Sequence, residues 1–277
     1  MNKITVKDFN LKHTLESGQV FRFEEVDGYY YINAQHKLFK VKQLGNKLFY
    51  DGASQKFINS YFNLNQDLKP ILRKIVTDKH MHKATTKYSG LRLINQDPWE
   101  CLIAFLCSSA SNIPKIKQNL DLLSKHFGQK IFLDHIRSFT FPRCGALNNL
   151  EKIKASKTGF RANYIHQANF IITEEFLESL KLLPYAEAKE QLMKLNGIGS
   201  KVADCVLLFS LGFTEAFPVD TWMTKAMRQL YLPDQKNVKE QDMIQFAQNT
   251  WGKNAGYAQQ YLYHYSRMNG KEEIISD

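Results

Sequence analysis

The chain contains 277 residues, and its 37 lysines and arginines outnumber its 27 aspartates and glutamates, which gives a formal net charge of +10 at pH 7. Hydrophobic residues make up 44% of it, the ordinary proportion for a globular protein. Its four cysteines are too few and too scattered for a disulfide framework, and they suggest a reducing compartment. No apolar run is long enough to span a membrane, and no signal peptide is expected. The positive charge favours a polyanionic partner, although charge alone supports nucleic acid only weakly.

The first ninety or so residues predict an antiparallel sheet. Apolar and polar residues alternate over 29–34 and over 37–42, as they do in strands that bury one face. Turn-forming pairs at 27–28, 45–46 and 51–52 separate these runs. We therefore assign residues 1–90 to an N-terminal sheet domain.

After Gly90 the apolar residues follow the helical period. Asp97 predicts a helix N-cap, with Pro98 at the first helical position and Glu100 at the third. Further helices are predicted over 113–127, 132–138, 147–152, 161–175, 185–195 and 255–268. The fold class is therefore α+β, with a mostly helical domain over 91–277. No proline-rich linker separates the two parts, so we expect one compact body with a cleft between them.

A glycine hairpin interrupts the helical part at about 186–211. An amphipathic run stops at Asn196-Gly197-Ile198-Gly199, and a second apolar run begins at Ser200. Glycines permit the positive φ angles of so tight a turn, and Ser200 is predicted to cap the second helix. The free N–H groups of a helix start bind phosphate without regard to sequence. The residues predicted to contact phosphate are Gly197, Gly199, Ser200 and Val202.

Two reactive side chains follow the hairpin turn. Lys201 lies in the first turn of the second helix, where the helix dipole and partial burial disfavour an ammonium, so this lysine can act as a neutral nucleophile. Asp220 ends the loop 212–220 and is predicted to cap the next helix with one oxygen left free. A carboxylate beside an amine can stabilise positive charge on a sugar as its base departs. Lys201 and Asp220 are therefore the candidate catalytic residues.

Residues 195–205 (LNGIGSKVADC) and 217–220 (FPVD) resemble the helix-hairpin-helix DNA glycosylases. Residues 17–22 (SGQVFR), 91–101 (LRLINQDPWEC) with 107–109 (CSS), and 251–259 (WGKNAGYAQ) narrow the resemblance to the 8-oxoguanine DNA glycosylase family. The resemblance covers nearly the whole chain. Lysine at position 201 matches the bifunctional members, which cleave the glycosidic bond and then nick the strand through a Schiff base and β-elimination.

The resemblance also implies a pocket for the extruded base. The N7 atom carries a hydrogen in 8-oxoguanine and a lone pair in guanine, and the family's acceptor for that hydrogen is a main-chain carbonyl, here that of Gly18. Gln259 and Tyr263 are four residues apart and share a helix face, where the amide can bind the base edge while the ring stacks on it. The family usually has phenylalanine at position 263. Cys205 resembles the cysteine that lines the other side of the base.

The predicted contacts to the unpaired partner base depart from the better-known eukaryotic members. Those members have an asparagine after Cys-Ser-Ser, an arginine five residues further on, and a Tyr-Arg pair; the corresponding residues here are Ala110, Lys115, Phe160 and Arg161. Loss of the asparagine and of a bidentate arginine predicts a relaxed preference for the opposite base. Phe160 can still wedge into the neighbouring base step.

No metal or cofactor is expected. No cysteine follows Cys205, so the iron–sulfur cluster of some related glycosylases is excluded, and His80 and His82 lack further ligands nearby. We expect a monomer that binds double-stranded DNA containing oxidised guanine and no membrane. We expect the protein in the cytoplasm with the nucleoid if it is bacterial, and in the nucleus if it is eukaryotic. Two alternatives remain at this point, a glycosylase for alkylated purines and a non-catalytic DNA-binding module.

Overall fold

The computed structural model describes residues 1–235 and 237–269 and has the predicted α+β class. Residues 270–277, the end of the predicted helical domain, lie outside the described residues. The first five strands form one antiparallel sheet in the order β1-β5-β4-β3-β2. Their bounds are β1 Asn2–Thr5, β2 Phe23–Val26, β3 Tyr29–Ala34, β4 Lys37–Leu44 and β5 Lys47–Asp51.

Four short helices accompany the sheet, and all four correct the sequence prediction, which assigned residues 1–90 to a sheet. The sheet ends at Asp51, and residues 55–87 form helices rather than strands. Their N-cap side chains explain where they begin, because Ser54, Asp67 and Asp78 each accept a backbone N–H of the following turn. The bounds are α1 Leu11–Glu16, α2 Gln55–Tyr61, α3 Leu68–Ile75 and α4 Lys79–Lys87.

The remainder of the described chain is mainly helical. Asp97 caps α5 as predicted, with its carboxylate 2.8 Å from the backbone nitrogen of Glu100. The predicted helix over 113–127 is confirmed, and the helix predicted over 161–175 ends at Ile171 because Thr173 caps a new one. The bounds are α5 Pro98–Leu106, α6 Ile113–Phe127, α7 Leu150–Ala155, α8 Arg161–Ile171, α9 Glu174–Ser179, α10 Tyr185–Met193, α11 Ser200–Ser210, α12 Thr221–Leu230, α13 Glu240–Trp251 and α14 Ala255–Asn269.

The helix predicted over 132–138 is wrong, since these residues belong to a β-hairpin. Strands β6 (Lys130–Leu133) and β7 (Ile136–Phe139) pair antiparallel around a turn in which Asp134 has a φ of +51°. The carboxylate of Asp134 accepts hydrogen bonds from Tyr31 on β3 and from Lys40 on β4. Contacts with the first sheet thus stabilise a turn that the local apolar spacing did not indicate.

Two hydrophobic cores meet where the sheet joins the helices. One core is formed mainly by the sheet with α1 and α2, and the other by the remaining helices, including the buried residues of α3 and α4. Each part also contributes a side chain to the other core. Phe21, just before β2, is buried in the helical core, and Ile94, just before α5, is buried in the sheet core. The segments around residues 21 and 94 are therefore fixed against each other at this junction.

Candidate active site

A cavity of about 350 Å³ lies where the segment around residue 18 meets α5, α11, α12 and α14. It is lined by both predicted catalytic residues and by all four residues of the predicted base pocket: Lys201, Asp220, Gly18, Cys205, Gln259 and Tyr263. These residues come from segments that lie far apart in the sequence. The fold thus brings the two sets that the sequence predicted separately into one concave site.

The hairpin between α10 and α11 places Lys201 at the edge of this cavity. Gly197 has a φ of +85°, and a β-carbon there would lie 2.5 Å from the ring of Tyr164, so only glycine fits. Gly199, exposed at the start of the helix, is the N-cap of α11. The prediction that Ser200 caps the helix is wrong, because Ser200 is its first residue and no side chain caps this end within the described residues. The first N–H groups thus lack a side-chain partner there.

The amine of Lys201 has a specific protein partner. The side chain is half-buried, and its Nζ atom donates a hydrogen bond to the hydroxyl oxygen of Ser108 at 2.7 Å. The same atom lies 5.2 Å from the centre of the Phe105 ring. Phe105 lies in the last turn of α5 and Ser108 follows that helix, which packs against α11. The position of the amine therefore depends on the contact between these two helices.

Asp220 begins α12 as predicted. Its Oδ1 atom lies 2.8 Å from the backbone nitrogen of Met223, which donates the capping hydrogen bond. Burial raises the pKa of the Asp220 carboxyl, and the Met223 N–H and the charge of Lys201 act in the opposite direction. The Asp220 carboxyl group thus caps α12 and lines the same cavity as Lys201.

Gln259 lines the cavity and carries a buried acceptor atom. Its Nε2 atom donates to the backbone oxygen of Pro218 at 3.1 Å, which fixes the orientation of the amide. The other amide atom, Oε1, is buried and has no hydrogen-bond partner in the described part of the chain. A buried acceptor without a partner is energetically unfavourable, so this oxygen is suited to an N–H group of a bound ligand.

Gly18 also lines the cavity, in a segment fixed by the buried side chain of Gln19. The Nε2 atom of Gln19 donates to the backbone oxygen of Arg92 at 2.8 Å, and its Oε1 atom accepts from the backbone nitrogen of Ile94 at 2.7 Å. On the cavity side, Gln260 donates to the backbone oxygen of Ser17 at 2.9 Å. Residues 17–19 are therefore held both by the chain before α5 and by α14.

Two further side chains define the faces of the cavity. Burial raises the pKa of the Cys205 thiol to about 12, so this group is a neutral, polarizable surface at pH 7. Burial likewise raises the pKa of Tyr263 to about 12, which keeps its phenol protonated. The guanidinium of Arg267 lies 5.6 Å from the centre of the Tyr263 ring and donates to the backbone oxygen of Glu16.

The four residues predicted to face the partner base lie outside the cavity lining. Phe160 is 59% exposed, and Ala110 is exposed with a φ of +47°. Arg161 is only 6% exposed, and its guanidinium donates to the backbone oxygens of Ala110 (2.9 Å) and Thr158 (3.1 Å). Its contact brings Phe160 and Ala110 close together. The Nζ atom of Lys115 donates to Gln118 on α6 at 3.3 Å.

Ser108 and Arg267 line the cavity but were not singled out from the sequence. Ser108 lies in the Cys-Ser-Ser segment that carries the family resemblance, so the sequence indicates this segment but not the contact of Ser108 with Lys201. Its contact with Lys201 joins residues 93 positions apart, and no local pattern predicts such a pair. Arg267 follows Tyr263 by four residues on α14, which is the spacing of helix neighbours.

Residues 1–235 and 237–269 contain no cluster of three or more potential metal ligands among their His, Cys, Asp and Glu side chains. Within the same ranges, no helix combines the length and the apolar character needed to cross a lipid bilayer.

Comparison with known proteins identifies the family. Residues 2–102 match the family model of the N-terminal domain of 8-oxoguanine DNA glycosylase. The crystal structure of Clostridium acetobutylicum 8-oxoguanine glycosylase/lyase, in complex with double-stranded DNA containing cytosine opposite 8-oxoguanine, superposes with a TM-score of 0.90. It is 31% identical over 97% of this chain and 98% of its own. The chain belongs to the 8-oxoguanine DNA glycosylase family.

Two further relatives in this family match over almost their full length. MBOgg1, solved with a low-affinity DNA ligand, is 34% identical, with a TM-score of 0.91 over 97% of this chain and 96% of its own. The probable N-glycosylase/DNA lyase of Methanothermobacter thermautotrophicus is 28% identical over 97% of this chain and 96% of its own length. The predicted family and its α+β fold are thus confirmed along nearly the whole chain.

Proposed function

We propose that this protein excises 8-oxoguanine from double-stranded DNA and then nicks the strand at the same site. One observation carries the proposal: Lys201 and Asp220 line the same cavity as Gln259, whose amide oxygen is buried without a hydrogen-bond partner among the described residues. The amine of Lys201 and the carboxyl group of Asp220 therefore share a cavity with an amide that suits the edge of a nucleobase. Membership of the 8-oxoguanine DNA glycosylase family supports the choice of substrate.

The damaged nucleotide must leave the duplex before it can react, because its C1′ atom is not accessible within the stack. In the cavity the N7–H of the lesion donates to the carbonyl of Gly18, which would repel the N7 lone pair of guanine. The free amide oxygen of Gln259 accepts from the Watson–Crick edge, and the base lies between the ring of Tyr263 and the thiol of Cys205. Two neutral faces suit an uncharged base.

Lys201 is the nucleophile of the proposed reaction. The neutral amine attacks C1′ as the bond from C1′ to the base nitrogen breaks, and the carboxylate of Asp220 stabilises the positive charge that develops on the sugar. After the sugar ring opens, Nζ and C1′ are joined as a Schiff base. Loss of a C2′ proton then expels the 3′ phosphate, which nicks the strand, and hydrolysis of the imine regenerates the amine.

The α10–α11 hairpin supplies a contact to the DNA backbone in this proposal. The backbone N–H groups of Gly197, Gly199 and Ser200 belong to a turn in which both glycines are exposed, and they suit a phosphate. The side chain of Val202 is 4% exposed, so this residue contributes its main chain only. Such contacts fix the register of the protein on DNA without reading its sequence.

We further propose a relaxed preference for the base opposite the lesion. Ala110 has no side chain long enough to fill the space of the extruded nucleotide, and Lys115 presents a point charge in place of a bidentate guanidinium. The buried guanidinium of Arg161 is occupied by backbone oxygens in this structure. Phe160, which is exposed, remains available as a wedge.

Borohydride trapping tests the reaction. A duplex with one 8-oxoguanine opposite cytosine is incubated with the wild type, with Lys201→Gln and with Lys12→Gln, which removes the same charge from an exposed ion pair with Glu16. We expect a covalent adduct with the wild type and with Lys12→Gln, and none with Lys201→Gln. Excision without an adduct would indicate a water-activating enzyme instead. No adduct and no excision would reject oxidised guanine as the substrate and redirect the search to alkylated purines or to DNA binding alone.

The division into a sheet domain over 1–90 and a helical domain over 91–277 remains a proposal, as does the monomeric state. In that division the first part supplies Gly18 to the pocket and the second supplies the reactive groups. Size-exclusion chromatography with light scattering, with and without DNA, would measure the oligomeric state. A mass of twice the chain's 32.2 kDa would contradict a monomer.

A further inference from the structure

The hydrogen bond between Lys201 and Ser108 has a fixed direction. The single hydroxyl hydrogen of Ser108 is directed at the backbone oxygen of Phe105, 2.6 Å from its Oγ atom. Oγ therefore has only lone pairs for the Nζ atom of Lys201, which lies 2.7 Å away. Ser108 accepts from the lysine and cannot donate to it while its own bond to Phe105 persists.

This direction determines how a neutral amine is oriented. An amine has two N–H bonds and one lone pair, and the lone pair cannot point at another lone pair. Because one N–H of Lys201 is directed at Ser108, the lone pair must point elsewhere. The ring of Phe105, 5.2 Å from Nζ, covers another side of the group. Rotation about the Cε–Nζ bond turns the N–H bonds and the lone pair, and these contacts restrict that rotation.

The loop that carries Ser108 is held by Arg161. Ser108 follows α5 in a loop that leads to α6, and the next residue, Ser109, accepts a hydrogen bond from Nε of Arg161 at 2.7 Å. Arg161 also binds the backbone oxygens of Ala110 and Thr158, and it is 6% exposed. A buried guanidinium with several acceptors makes strong, geometrically defined contacts. The loop that carries Ser108 is thus anchored to the start of α8.

We propose that Ser108 is a positioning residue for the Lys201 amine, and that Arg161 maintains it by anchoring the loop. The proposal rests on Lys201 being the nucleophile of the proposed function. In this role Ser108 touches neither the base nor the sugar. It orients the amine so that the lone pair is available to C1′, and any residue that keeps an acceptor oxygen at this position can replace it.

The chain offers a closely matched control in Ser179. Its hydroxyl donates to the backbone oxygen of Phe176 at 2.8 Å, three residues earlier, as that of Ser108 does to Phe105. Ser179 is exposed at the end of α9 and lies outside the cavity lining. Substitution to alanine therefore removes the same local hydrogen bond without any effect on an amine.

The test measures single-turnover excision, DNA affinity and thermal stability for the wild type, Ser108→Ala, Ser108→Thr and Ser179→Ala. We expect Ser108→Ala to lower the single-turnover rate constant about tenfold, the size of one lost orienting hydrogen bond, with unchanged DNA affinity. Ser108→Thr keeps the hydroxyl and should stay within about threefold of the wild type, and Ser179→Ala should match the wild type.

A wild-type rate constant in Ser108→Ala would overturn the proposal, as would a loss of rate that merely parallels weaker DNA binding or a lower Tm. If Ser108→Ala does not fold, Ser108→Cys takes its place with the same expectation, because sulfur is a poor acceptor. Failure of the proposed function is distinct, since the wild type itself would then neither excise 8-oxoguanine nor form the borohydride adduct.

Discussion

Tyr263 on α14 packs directly against Gly18, with its phenolic oxygen 3.0 Å from where a β-carbon of residue 18 would lie. Gly18 also has a φ of +81°, which residues with side chains rarely adopt. The substitution Gly18→Ala should therefore cost about 1 kcal/mol of stability and move the ring that faces the base. We expect 8-oxoguanine excision to fall at least about tenfold, measured under single-turnover conditions.

Gly145→Ala controls for the backbone strain, because Gly145 has a φ of +84° and no atom of the described residues lies within 4 Å of its added β-carbon. It should lose similar stability and keep the wild-type rate. Equal rates in Gly18→Ala and the wild type would contradict the role of this wall.

Asp220 combines a structural and a chemical role that two substitutions separate. The variant Asp220→Asn should still cap α12, since asparagine and aspartate are equally good N-caps, whereas Asp220→Ala should cost about 1 kcal/mol. Both variants remove the negative charge, so both should lower the rate of excision by about a hundredfold or more. Urea denaturation and single-turnover assays measure the two effects. If Asp220→Asn retained the wild-type rate, the carboxylate would have no part in the chemistry.

Ala110 offers a test of opposite-base preference. Its φ of +47° lies in the left-handed region, which asparagine tolerates better than alanine does, so Ala110→Asn should fold without loss of stability. The added amide can fill the vacated stack and hydrogen-bond a partner base. We expect the rate ratio for cytosine over adenine opposite 8-oxoguanine to rise by about threefold to tenfold. Ala110→Gly relieves the strain of the left-handed backbone without adding an amide, so it should leave this rate ratio unchanged. If the ratio rose in both variants, the effect would come from the backbone and not from the amide.

The buried pair of Arg22 and Glu100 should make stability depend on pH. Burial raises the pKa of Glu100 to about 7 although Arg22 lies 3.1 Å away, and the unfolded value is 4.5. Between these values the folded protein holds a proton that the unfolded chain has lost, so the free energy of unfolding falls as the pH rises. Between pH 4.5 and pH 8, the free energy of unfolding of the wild type should fall by on the order of 3 kcal/mol more than that of Glu100→Gln.

Urea denaturation at both pH values measures this difference. Glu24→Gln removes an exposed carboxylate from β2 and should follow the wild type. Identical pH dependence in the wild type and Glu100→Gln would mean that Glu100 is ionised in both states.

Three residues of the predicted site are marked in the sequence. Lys201 follows a glycine turn and Asp220 precedes a helix start, whereas the role of Gln259 is implied by the family resemblance of residues 251–259. They line one cavity, as the separate predictions required. The partner of Lys201 could not be predicted, since it depends on how α5 packs against α11.

The errors in secondary structure have identifiable causes. The helices over 55–87 lie within the range predicted as a sheet, because the alternating pattern of residues 29–42 was taken to continue to residue 90. Ser54, Asp67 and Asp78 are strong N-cap residues and indicate these helices. The hairpin of β6 and β7 was missed because its turn at Asp134 depends on contacts with Tyr31 and Lys40 in another sheet. The first error was avoidable from the sequence, and the second was not.

The buried amide of Gln19 ties the wall at Gly18 to the backbone of Arg92 and Ile94. Both bonds end on backbone atoms, so they depend on the course of the chain at residues 92 and 94 and not on the side chains there. Loss of the Gln19 amide would therefore release this wall of the cavity, while Lys201 and Asp220 would stay on their own helices.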